Sequence, residues 1–143
     1  MKRLQNYLLT LMMEESSDII KASSKIIRYG NNYKFSNYDD MTTEDVLRDE
    51  LLDAIVVTIL LNLTGMKIAP GLVADLLKED SMFIDVRYRI NNMLKFINDN
   101  LESLQIDRED FRRLEINARA LLNYAENKLK TIEEGKWIIS SLK

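Results

Sequence analysis

"MMEESSDIIKASSKIIRYG", Met12–Gly30, has the spacing of an amphipathic helix, but acids interrupt its apolar stripe. At about 100° per residue, with Glu15 at zero, Leu4, Leu8, Leu11, Asp18, Ala22, Ile26 and Tyr29 all fall within about 60°. Glu15 and Asp18 therefore lie on the face that should meet a partner helix. Further along, "ELLDAIVVTILL" (Glu50–Leu61) is apolar nearly all round. Val46, Asp53, Val57 and Leu61 share the side of Glu50, and Asp53 has almost no polar face to point toward. Two helices thus each carry an acidic pair, three residues apart, on a face built for packing.

Few breaks separate the elements, because the 143 residues include one proline and four glycines. A first helix is expected over about Arg3–Tyr29, stopped by Gly30. Gly30–Met41 is rich in Asn, Asp and Tyr and reads as a loop. Thr42 or Thr43 caps a second helix running to about Leu63, with Glu44 and Asp45 in its first turn suiting the helix dipole. Pro70-Gly71 opens a short helix over roughly Gly71–Lys78. Another covers about Ser81–Leu104, and Asp107 caps a last one that Gly135 is expected to break after about Glu134. No stretch alternates with period two. The expected fold is all-α, an antiparallel bundle of four to five helices in one domain: residues 1–104 as its core, 105–143 as a long C-terminal helix and tail. Phe111, Leu114, Ala118, Leu121, Ala125, Leu129 and Ile132 form a seam of nearly heptad spacing, suited either to packing on the chain's own domain or to a dimer. Trp137 is expected to anchor the tail.

Composition narrows the chemistry. A net charge of −3 with a pI near 5.1 argues against a nucleic-acid partner. The chain has neither cysteine nor histidine, which removes disulfides, thiolate nucleophiles, zinc fingers and histidine-dependent triads. Any metal must be held by oxygen, which points to Mg²⁺ or Mn²⁺. The longest apolar run, Leu51–Leu63, is interrupted by Asp53 and Asn62 and is too short to span a bilayer. The basic, apolar start lacks a small-residue cleavage site and reads as helix, so a cytoplasmic location without membrane association is expected.

Burying an unpaired carboxylate costs several kcal/mol, and four together repel one another. Lys21, Lys25, Arg28 and Arg48 are near enough in sequence to pair with them; divalent cations are the other remedy. Four convergent carboxylates make an oxygen cage for Mg²⁺, an ion that keeps waters and takes further ligands from phosphate. Such a cage suits phosphoryl or nucleotidyl chemistry.

Glu14-Glu15-x-x-Asp18, then 31 residues, then Glu50-x-x-Asp53, resembles the EExxE…ExxD signature of the all-α nucleoside triphosphate pyrophosphohydrolases, the MazG-like family. "EESSDIIKASSKIIRYG" looks like its small bacteriophage-type members, and "LRDELLDAIVVTILL" is similar to the family's second metal helix. The resemblance covers about residues 4–63; "VRYRINNMLKF" loosely resembles the basic helix that follows, and the last helix has no counterpart. Asp18 stands where the family has Glu, one methylene shorter, which predicts a less direct metal contact or a closer approach of the helices.

The resemblance implies Mg²⁺-dependent hydrolysis of a (d)NTP to the monophosphate and pyrophosphate, with water attacking the α-phosphorus. It implies metal roles for Glu15, Asp18, Glu50 and Asp53, catalytic roles for Glu15 and Glu50, and Glu14 as an outer partner or a base. Lys25 and Arg28, then Lys21, are the candidates for the outer phosphates. Arg87, Arg89 and Lys95 form a second basic group that could close over them. Tyr33, Phe35 and Tyr38, with Asn31, Asn32 and Asn37, could frame a base. A homodimer or homotetramer is expected from the family. Two other readings compete: a non-enzymatic helical interaction protein, and a related phosphohydrolase acting on another nucleotide.

Overall fold

The structure, a computed structural model, describes residues 1–35, 40–69, 71 and 80–141, with the side chains of 80, 81 and 132–141 left out. Four helices are described: α1 Lys2–Tyr29, α2 Thr43–Leu63, α3 Asp80–Asp99 and α4 Arg108–Ser141. No strand occurs among the described residues, only an isolated bridge between Lys34 and Thr42. The fold is an all-α bundle, as expected. Of the helix expected over about Gly71–Lys78, residues 72–78 fall outside the described residues, as do Asn37, Tyr38 and the side chain of Trp137.

Local chemistry fixes the helix ends. α1 stops at Gly30, whose φ of 84° is left-handed and whose N–H donates back to the Ile26 carbonyl. α2 starts with a capping box: the Thr42 side chain accepts from the Asp45 N–H, and the Asp45 carboxylate accepts from the Thr42 N–H. At α4 the Asp107 carboxylate accepts from the Glu109 N–H at 2.9 Å.

The apolar α2 is the central element, packing against α1, α3 and α4. Val56, Val57, Ile59, Leu60 and Leu61 are fully buried with Leu4 and Leu8 of α1, Val86, Ile90 and Ile97 of α3, and Leu114 and Ala118 of α4. α1 and α2 run antiparallel and are tied at both ends. The Gln5 side chain donates to the Thr64 carbonyl at 3.3 Å, and the Thr43 hydroxyl donates to the Gly30 carbonyl. That register sets the two acidic pairs level with each other halfway along the contact.

Two expectations about α4 need correction. Gly135 does not end it; the helix continues to Ser141, 34 residues or roughly 50 Å. A glycine inside a helix costs only about 1 kcal/mol relative to alanine, too little to stop a long helix by itself. Leu122 takes the buried place in the stripe expected of Leu121, which is partly buried against the same core, because the helix follows a 3.6-residue period rather than a heptad. Phe111, Leu114, Ala118, Leu122, Ala125 and Leu129 are all buried within one chain, so through Leu129 the seam packs on its own domain; Ile132 lies outside the described side chains. Leu60→Ala should destabilise the protein by about 2–5 kcal/mol, the range for a large-to-small change at a fully buried site, measured by chemical denaturation.

Candidate metal centre

Glu15 of α1 and Glu50 and Asp53 of α2 each offer a carboxylate oxygen within 4.8 Å of the others. They converge because the apolar stripes on either side, Leu8 and Ala22 on α1, Leu52 and Val57 on α2, leave no other face to the acids. At an effective dielectric of about 20, each pair of unit charges at this separation repels by about 3 kcal/mol. Three such pairs total on the order of 10 kcal/mol, comparable to the net stability of a whole small domain. The cluster must therefore bind protons or cations.

The chain's own groups offer a partial response of each kind. Burial, then the charges of Asp53, Glu50 and Asp18, push the Glu15 carboxyl up to about 7. Burial first, then Asp18 and Asp53, also raise Glu50. A proton held by Glu15 can be donated to Glu50, favouring the neutral form of the first and the charged form of the second. Even so, Oε2 of Glu15 is buried with no hydrogen-bond partner. On the opposite side, Arg89 of α3 donates from Nη1 to Asp53 at 2.5 Å and from Nη2 to Asp49 at 3.0 Å. Arg89 thus answers part of the charge, with a single positive group.

Asp18 lies outside the three-oxygen cluster. It lines a small pocket of about 240 Å³ with Lys21, Ala22, Lys25, Val46 and Glu50, so two of the expected phosphate-binding lysines sit beside the acids. The Lys25 ammonium also lies 5.3 Å from the centre of the Phe35 ring. Arg28 and Lys95 are exposed, and neither lines this pocket or the larger cleft described next. Arg48 pairs with Asp45 at 3.2 Å, and Arg87 lies 3.9 Å from Glu126.

Glu14 does not belong to the trio but lines, together with Asp53, a cleft of about 640 Å³. Tyr7, Leu11 and Glu14 of α1 form one wall, and Tyr88, Arg89, Asn92, Met93 and Phe96 of α3 the other, with Leu104 beyond. Its volume lies within the range of small-molecule sites, about 300–1,000 Å³. Tyr7 has its phenol pKa raised, by burial and then by the Glu14 charge.

The ring-binding expectation for the loop fares differently. Tyr29 and Tyr33 stack at 4.8 Å, and Phe35 meets both edge-on at 5.2 and 4.7 Å, so these rings pack on one another at the end of α1. The cleft aromatics Tyr7, Tyr88 and Phe96 were not anticipated. Their signal was present: positions 7, 11, 14 and 88, 92, 96 are each one helical face.

Compared with known proteins, the chain matches no family model, and no curated protein or solved structure matches it either.

The carboxyl geometry gives a pH signature. Glu15 holds its proton more tightly folded than unfolded, so its contribution favours the fold below about pH 4.5 and is lost as pH rises through about 7. Without divalent ions, thermal melts of the Glu15→Gln variant should lack the part of the fall in Tm between those pH values that wild type shows. An equal fall in both proteins would contradict this origin.

Proposed function

We propose that the protein is a Mg²⁺-dependent nucleotide pyrophosphohydrolase, converting a (d)NTP to the monophosphate and pyrophosphate. The observation that carries the reading is the convergence of Glu15, Glu50 and Asp53 within 4.8 Å, with an unpartnered buried oxygen on Glu15, beside a cleft sized for a small molecule. The donor set fits a hard dication: all oxygen and anionic. A MazG-like family relationship is part of the same proposal and rests on the acid signature.

In this reading Glu15, Glu50 and Asp53 would hold the ion, and Asp18 would support it from the neighbouring pocket. The ion would neutralise charge on the phosphate oxygens and favour formation of hydroxide from water near pH 7. Lys21 and Lys25, beside Asp18 and Glu50, take the outer phosphates. Glu14, which lines the cleft next to Asp53 without belonging to the trio, orients the attacking water and accepts its proton. Tyr7, Tyr88 and Phe96 stack on the base.

A second reading, a non-enzymatic helical interaction protein, draws on the ion pairs from Arg89 to Asp53 and Asp49. There the acids are neutralised within the chain, and neither chelator nor Mg²⁺ changes the melting temperature.

A (d)NTP panel with Mg²⁺ and product identification separates the two. Monophosphate and pyrophosphate are expected, with turnover abolished in Glu50→Gln and Asp53→Asn. Orthophosphate as the sole product, or activity indifferent to both substitutions, would remove the proposal; a related phosphohydrolase would reveal itself by its products.

A further inference from the structure

Arg89 binds two carboxylates on successive turns of α2, and they differ in kind. Asp53 belongs to the three-oxygen cluster, whereas Asp49 does not. The same side chain lines the cleft with Glu14 and Asn92, so its guanidinium stands at the boundary between the cluster and the space beside it. Resting on the metal-site reading above, we infer that Arg89 is an internal competitor for Asp53, one that yields the carboxylate to a divalent cation and turns to an anionic ligand in the cleft.

Charge supports the competition. A guanidinium hydrogen-bonded to Asp53 draws electron density from the carboxylate and repels a dication placed on it. Geometry supports the release. With Nη2 held by Asp49, the Nη1 contact to Asp53 can open without leaving the half-buried guanidinium unpaired. Ligand chemistry supports the destination, since the planar fork of arginine matches two phosphate oxygens as it matches a carboxylate. The consequence is a coupling. The cation binds weakly alone, the anionic ligand binds weakly alone, and each strengthens the other by the same factor. An arginine that merely orients Asp53 predicts the opposite sign, because losing an outer partner of a metal ligand weakens metal binding.

Calorimetric titration of the full chain with Mn²⁺, with and without an α,β-methylene nucleoside triphosphate that resists hydrolysis, tests this. Arg89→Met should bind Mn²⁺ alone at least about tenfold more tightly than wild type, the scale on which outer partners of a metal site act. It should also lose most of the mutual enhancement between Mn²⁺ and the analogue. Arg89→Gln, which keeps a polar head at the same position, should behave likewise and carries the test if the methionine variant does not fold. Mn²⁺ binding that is weaker or unchanged in the folded variant overturns the inference. If Glu50→Gln still abolishes Mn²⁺ binding in that case, only the role of Arg89 fails. Absence of Mn²⁺ binding from wild type and variant alike, with or without the analogue, overturns the metal-site reading as well.

Discussion

Carboxylate crowding in the α1–α2 contact governs this molecule. The two helices are drawn together by apolar stripes and held in register by Gln5–Thr64 at one end and Thr43–Gly30 at the other. Between those ties the register leaves the acids no escape: moving them apart would mean sliding Leu4 and Leu8 off the core they share with α2. Hydrophobic burial thus imposes an electrostatic cost at one place, and each unusual property of the site answers it.

Two kinds of positive charge already answer that cost, and the proposed dication would be a third. A proton is the smallest and answers through Glu15, but at the cost of removing one anion from the set. A guanidinium answers from outside, reaching Asp53 and Asp49 yet leaving the buried Oε2 of Glu15 without a partner. A dication is the one answer able to contact Glu15, Glu50 and Asp53 together, and the proposed chemistry follows from that difference. Lys21 and Lys25 lie on the Asp18–Glu50 side, where they line one pocket with those two acids.

The sequence made α1, α2 and the acidic faces legible because each depends on local spacing. A 3.6-residue period assigns a residue to a face without knowledge of the partner, and Gly30 and Thr42 mark ends through their own backbone and side-chain chemistry. What periodicity lacks is the choice of neighbour. Arg89 read as one of three helix bases suited to phosphates, and its pairing with Asp53 depends on the packing of α3 against α2. The cleft was hidden for the same reason: Tyr7 and Phe96 lie far apart in sequence, and each reads alone as an ordinary aromatic. Gly135 misled because a breaker is only a local penalty, which the rest of a long helix can absorb.

The cleft adds a constraint of its own. Leu11, Met93, Phe96 and Leu104 give it an apolar interior, while Glu14, Asp53 and Arg89 bring both signs of charge. A wholly apolar ligand would strip water from those charges without replacing its hydrogen bonds, and a small inorganic anion would leave the aromatic surface wet. A molecule with an anionic end and a flat, weakly polar body meets both demands. Tyr88 and Phe96, each more than half exposed while bordering the cleft, retain apolar surface that such a body would cover. In the proposed reading, apolar packing would select for the body of a ligand, and the crowded acids, through their counter-ions, for its charge.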